Sequence, residues 1–111
     1  MEFEFGDIAL VPFPFTDQRT SKRRPAVVVS TQRYNRGCPD IILMAVTSQP
    51  GTGGLGVPIR GWQEAGLVAP STLKPVIATI EKTLVIKKLG RLPEADRNSL
   101  SSFLSDVLGS S

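Results

Sequence analysis

Residues 25 to 31 read Pro-Ala-Val-Val-Val-Ser-Thr, and residues 41 to 47 read Ile-Ile-Leu-Met-Ala-Val-Thr. Each is a short, continuous apolar run bounded by turn residues, which is the pattern of a strand buried on both faces. Between them Asn35, Gly37 and Pro39 mark a turn. Upstream, Asp-Ile-Ala-Leu-Val-Pro-Phe at 7 to 13 is a further strand, whose Pro12 must sit at an edge or a bulge because it lacks an N–H for the ladder. Residues 14 to 24 form a polar, basic loop, and the run Ser-Gln-Pro-Gly-Thr-Gly-Gly-Leu-Gly at 48 to 56 is a loop by composition. Short strand candidates follow at 57 to 60, 66 to 69, 72 to 79 and 84 to 91. The period then changes. Leu100, Phe103, Leu104, Val107 and Leu108 make one apolar stripe on a helix, with Pro93 suited to its first turn and Gly109 to its stop. Strands followed by one C-terminal helix predict a mainly β chain, a small curved barrel plugged or flanked by that helix.

The 111 residues, 41% hydrophobic and 21% charged, suffice for one core, so a single domain spanning 1–111 is expected. The net charge is only +3, but it is unevenly placed. Arg19, Lys22, Arg23, Arg24, Arg33 and Arg36 face the single acid Asp17 between residues 16 and 36, whereas Glu94, Asp96 and Asp106 oppose only Arg97 after Leu92. Such asymmetry suits a surface that meets a polyanion such as RNA, and equally suits a solvated arginine loop. The lone Cys38 has no disulfide partner, the N-terminus is acidic where a secretory leader is basic, and no apolar run approaches the roughly 20 residues of a membrane span. A cytoplasmic protein without membrane attachment is expected. The chain has no histidine, which removes the Ser-His-Asp hydrolases, the Cys-His proteases, the paired-histidine ribonucleases and most zinc sites.

From Phe5-Gly6-Asp7-Ile8 through Pro12-Phe13-Pro14-Phe15-Thr16-Asp17, and on through Lys22-Arg23-Arg24-Pro25 into Ala26-Val27-Val28-Val29-Ser30, the chain resembles the opening of MazF/PemK-type toxins. Val46-Thr47-Ser48, Ile80-Glu81-Lys82-Thr83-Leu84 and Leu89-Gly90-Arg91-Leu92 continue the likeness over nearly the whole chain. The resemblance implies an SH3-like barrel with a C-terminal helix, assembled as a homodimer. It implies a toxin that cuts single-stranded RNA at short motifs without metal or other cofactor, is neutralised by a cognate antitoxin, and binds DNA with that antitoxin in autoregulation. Carried over residue by residue, the family's Arg-Pro arginine is Arg24, and its strand-end Thr-Ser pair is Thr47 and Ser48. The family's loop acid corresponds to Asp17. Thr16, Arg19, Lys22 and Arg23 are the RNA-binding candidates of the loop and strand start, and Lys74 is a further RNA-binding candidate, a replacement charge where the chain departs from its relatives. The chain departs from relatives that carry a Glu just before Arg-Pro, where it reads Asp17-Gln18-Arg19-Thr20-Ser21-Lys22. It departs again at Thr72-Leu73-Lys74-Pro75 and at Ala78, where others have Arg or Asp.

RNA carries its own nucleophile, the ribose 2′-OH, so a histidine-free site has only to align it with phosphorus and stabilise developing charge. The planar guanidinium of Arg24 suits that task, and the Thr47 and Ser48 hydroxyls add donors to the same phosphate. An arginine is a poor proton acceptor, so a separate base is required. Asp17 is the family-positioned carboxylate, with Glu81 a more distant one.

Each residue also has a plainer use. Arg24 is suited to anchoring the loop through a carboxylate, and Thr47 and Ser48 to capping the turn into the glycine loop. Trp62 and Phe15 are rings that stack on unpaired bases or fill a small core. Two other functions stay open: a barrel that holds RNA without cutting it, and a gyrase-inhibitor-like toxin acting on a protein through C-terminal residues, which here read Gly109-Ser110-Ser111.

Overall fold

The computed structural model describes residues 2–12, 23–49 and 55–109. Thr16, Asp17, Arg19 and Lys22 lie outside the described residues, as does most of the basic loop. The elements are β1 (Asp7–Pro12), β2 (Arg23–Val28), α1 (Gln32–Gly37), β3 (Asp40–Thr47), β4 (Val57–Ile59), β5 (Ser71–Glu81), a 3₁₀ turn (Lys82–Leu84), β6 (Lys87–Arg91) and α2 (Glu94–Val107). The six strands form one antiparallel sheet in the order β4-β5-β3-β2-β1-β6. The expected mainly β architecture with a C-terminal helix is what the chain adopts. The curled sheet is a half-barrel, open between its two edge strands β4 and β6.

The apolar runs at 25–31 and 41–47 supply the central strands β2 and β3, and both faces of these strands are buried. Val27, Met44 and Val46 join Ile8, Leu73 and the α2 residues Leu100 and Phe103 on one face. On the other face, Ala26, Val28, Ile41, Leu43 and Ala45 pack with Val11 and the N-terminal Phe3. The alternation of side chains along a strand sends neighbouring residues to opposite clusters, so a continuous apolar run is required here.

Several expectations are corrected. The predicted turn around Asn35 is the short helix α1. Thr31 caps it, accepting a hydrogen bond from the Tyr34 N–H at 3.2 Å. Six residues are too few for helical periodicity to be read from the chain. Inside α1, buried Asn35 donates to the Phe3 carbonyl at 3.0 Å and to the Ser30 carbonyl at 3.2 Å, and it accepts from the Ser30 hydroxyl. Residues 66–69 are not a strand. They leave a turn whose Leu67 N–H is already bonded to the Trp62 carbonyl, and Val68 is fully exposed. β1 is an interior strand, with Pro12 at its locally unpaired end. Pro12 is tolerated because it is the last residue of β1, beyond the point where pairing with β6 stops at Leu10. Pro93 stands at the N-cap of α2, and the apolar stripe runs past its contacts, leaving Val107 and Leu108 exposed.

A bulge shapes the far end of β5. Met44 pairs with Ile77 but Val46 pairs with Leu73, so Lys74, Pro75 and Val76 stand against the single residue Ala45. Pro75, which has no N–H to donate, sits in this irregular stretch, and the bulge bends Ser71 to Leu73 onto the short strand β4.

Candidate functional site

Cross-strand pairing brings the predicted residues together. β2 and β3 pair Val28 with Leu43, Val27 with Met44 and Ala26 with Ala45. Arg24 on β2 and Thr47 at the end of β3 lie just past the last of these pairs and line one pocket, 23 positions apart in the chain. The pocket they line also includes Val46 and Leu67 of the first apolar cluster. Arg24 is half-buried between β1, where its partner is Val11, and β3.

The two side chains and Ser48 line a pocket of about 170 Å³, closed on another side by Leu67, Val68 and Ser71. The Thr47 hydroxyl accepts a hydrogen bond from the Gln49 N–H at 3.1 Å. The turn-capping use of Thr47 is therefore real, and it is compatible with phosphate binding. Accepting from Gln49 occupies a lone pair and leaves the hydroxyl hydrogen for a phosphate oxygen. Among the described residues, no carboxylate lines this pocket.

Other predicted residues are placed elsewhere. Arg23 is exposed at the start of β2, opposite Pro12. Lys74 is half-buried in the β5 bulge and lies outside the lining of the pocket. Glu81 pairs with Asp40 at the opposite end of β3 from Thr47. Seven strand residues at about 3.4 Å each put it some 24 Å away, too far to serve the same site within one chain. Tyr34 lies on α1, where partial burial, then the proximity of Cys38 and Asp40, raises its phenol above the ordinary value, so it stays protonated at neutral pH. Among the described residues, no three Cys, Asp or Glu side chains gather as a metal-binding group, and no helix is long and apolar enough to cross a membrane.

Asp7, in the Gly-Asp strand start, has a structural use. Its buried carboxylate accepts from the Glu4 N–H at 2.8 Å and pairs with Lys88 at 3.3 Å, with Arg91 at 3.9 Å, which joins the N-terminal segment to β6. Sequence reasoning also passed over Asp96. Its carboxylate, only 4% exposed, accepts the backbone N–H of Arg60 at 2.9 Å and of Gly61 at 2.8 Å. The first turn of α2 thereby holds the 60–66 turn beside the pocket. Gly61 is required there, because a Cβ would come within 2.5 Å of Pro93 Cγ. The legible signal was an acid in the first turn of a helix that begins at proline, which has no side-chain cap to offer.

Solved structures share this arrangement of strands and helix. MazF of Deinococcus radiodurans matches with a TM-score of 0.78 at 20% identity, covering 99% of this chain and 99% of that one. The MazE-MazF structure from the same organism matches at 0.77 and 21%, covering 100% of both chains. An endoribonuclease from a mycobacterial species, in complex with its cognate antitoxin, matches at 0.73 and 18%, covering 97% of this chain and 94% of that one. The fold is thus that of the MazF structures. Among curated proteins, none matches the sequence. The family of PemK-like, MazF-like toxins of type II toxin-antitoxin systems matches residues 4–108, and the chain belongs to it.

Proposed function

We propose that this chain is an endoribonuclease toxin that cleaves single-stranded RNA at the Arg24–Thr47 pocket, acts as a homodimer and is neutralised by a cognate antitoxin. The observation that carries the reading is that Arg24, Thr47 and Ser48 line one pocket of about 170 Å³, in a chain of this toxin family. The names of its structural neighbours, an endoribonuclease with its cognate antitoxin and MazE-MazF, support the activity and the partner.

In the reaction, the 2′-oxygen attacks phosphorus, the P–O2′ bond forms and the P–O5′ bond breaks. The products are a 5′-hydroxyl and a 2′,3′-cyclic phosphate, or the 3′-phosphate formed when water adds across its P–O2′ bond. Arg24 neutralises charge on the non-bridging oxygens and is the donor toward the leaving 5′-oxygen. The Thr47 and Ser48 hydroxyls donate to the same phosphate. Asp17, the family-positioned carboxylate, is assigned the 2′-OH proton. The chemistry needs no metal. Thr16, Arg19, Lys22, Arg23 and Lys74 contact the RNA backbone.

The test is incubation with single-stranded RNA in EDTA. Cleavage leaving 5′-hydroxyl ends is expected, with the Arg24→Ala variant slower by about 100- to 1,000-fold. Absence of cleavage, or cleavage unchanged in Arg24→Ala, overturns the reading. RNA bound in a salt-sensitive manner without new ends makes the protein an RNA-holding barrel instead.

A further inference from the structure

The groove next to the Arg24–Thr47 pocket has a different chemistry. A cavity of about 380 Å³ opens from Ser48, Gln49 and Ser71, which it shares with that pocket, toward Arg60 and Trp62. Its volume falls at the lower end of the roughly 300–1,000 Å³ typical of small-ligand sites. Its walls offer an aromatic ring, a guanidinium, hydroxyls and one amide, and among the described residues no carboxylate.

Trp62 is the one tryptophan of the chain, half-buried and packed against the core cluster that includes Leu100 and Phe103. The turn that carries it is tied at several points. Ala65 N–H donates to the Gly61 carbonyl at 3.0 Å, and Leu67 N–H to the Trp62 carbonyl at 3.0 Å. Gly66 takes a φ of +87° there, and Asp96 holds the Arg60 and Gly61 N–H groups. An aromatic side chain held in this way loses little further freedom on binding. Besides packing on the core, the ring forms part of the wall of a mainly apolar groove, lined also by Pro58, Ile59 and Pro70, that adjoins the Arg24–Thr47 pocket.

We propose that this groove is a nucleobase subsite. Trp62 stacks on the unpaired base next to the phosphate held by Arg24 and Thr47, the Gln49 amide and the Thr72 hydroxyl meet the base edge, and Arg60 meets the following phosphate. The inference rests on the RNA-cleaving reading of the adjoining pocket. Gln49 carries both donor and acceptor on one amide, so it contributes to the choice of base. Trp62 contributes affinity with little base preference, because every base has a π face.

The sole tryptophan makes the experiment direct. The wild-type chain is titrated with a short single-stranded 2′-O-methyl RNA of mixed sequence, whose blocked 2′-oxygen prevents cleavage, and with an abasic phosphodiester strand of the same length. Binding is followed by anisotropy of the labelled strand and stacking by tryptophan fluorescence. The RNA is expected to quench Trp62 in step with binding, and the abasic strand to bind more weakly without quenching. Trp62→Ala is expected to weaken RNA binding about tenfold or more, with Trp62→Phe retaining most of the affinity and controlling for loss of core volume. On cleavable RNA the Trp62→Ala loss appears in KM rather than kcat. RNA binding without a fluorescence change, or wild-type affinity in Trp62→Ala, overturns the subsite and leaves the cleavage reading standing. No binding of the 2′-O-methyl RNA overturns the subsite, and absence of cleavage of the unmodified strand in EDTA overturns the cleavage reading with it.

Discussion

Replacing Asp96 by Asn tests how the helix, the turn and the groove depend on one carboxylate. Asp96 accepts two backbone N–H bonds, at 2.9 and 2.8 Å, through its two oxygens. An asparagine amide keeps the shape and one acceptor, but it turns its NH₂ toward the second N–H. One charge-assisted hydrogen bond worth about 1.5–3 kcal/mol is lost, because a buried donor is left facing a donor. The negative charge in the first turn of α2, worth about 0.3–1 kcal/mol, goes with it. The total is roughly 2–4 kcal/mol, a large part of the about 5–15 kcal/mol that holds a domain of this size. A fall in thermal midpoint of about 8 °C or more is expected, and in urea a lower midpoint at an unchanged m-value. Since the same bonds hold the turn that carries Trp62, RNA affinity measured well below the melting range also falls. A midpoint within about 2 °C of wild type would mean that the Asp96 carboxylate does not hold the turn.

Three further outcomes follow from the geometry. Thr47→Val keeps the shape but loses the acceptor for Gln49 N–H and the hydroxyl aimed at phosphate, so stability changes by less than about 1 kcal/mol while RNA cleavage slows at least about tenfold, and Thr47→Ser restores most of it. Asn35→Ala strands the carbonyls of Phe3 and Ser30, so denaturant unfolding reports a loss of roughly 2–3 kcal/mol with cleavage per folded molecule unchanged. Glu81→Gln leaves the cleavage rate within about twofold, because Glu81 stands beyond the other end of β3; a fall of tenfold or more in a kinetic assay would contradict its placement.

Much of this protein is legible along its chain. The runs 25–31 and 41–47 mark buried central strands because a strand covered on both faces has no polar side to alternate with. The i, i+3, i+4 spacing from Leu100 marks α2 because long helices repeat their apolar face. Arg24, Thr47 and Ser48 stand out by their family-like setting. What stays hidden in the sequence depends on partners distant in the chain. Residues 66–69 have strand-like composition, but Gly66 at φ +87° and the Leu67–Trp62 hydrogen bond turn them into a pocket wall. α1 is too short to show a period. Asp96 looks like one more charge of an acidic tail until the fold brings Arg60 and Gly61, some 35 residues earlier, against its carboxylate.

The division has a physical origin. Strand and helix preferences, chain breaks at Gly and Pro, and the absence of histidine are properties of near neighbours or of composition, and they are written along the chain. Bringing Arg24 and Thr47 to one pocket requires β2 and β3 to pair in one register out of several, and a slip by one residue would turn the side chains of one strand to the other face. That register is selected by burying Ala26, Val28 and Ala45 on one face and Val27 and Met44 on the other, a free energy belonging to the whole sheet rather than to either run alone.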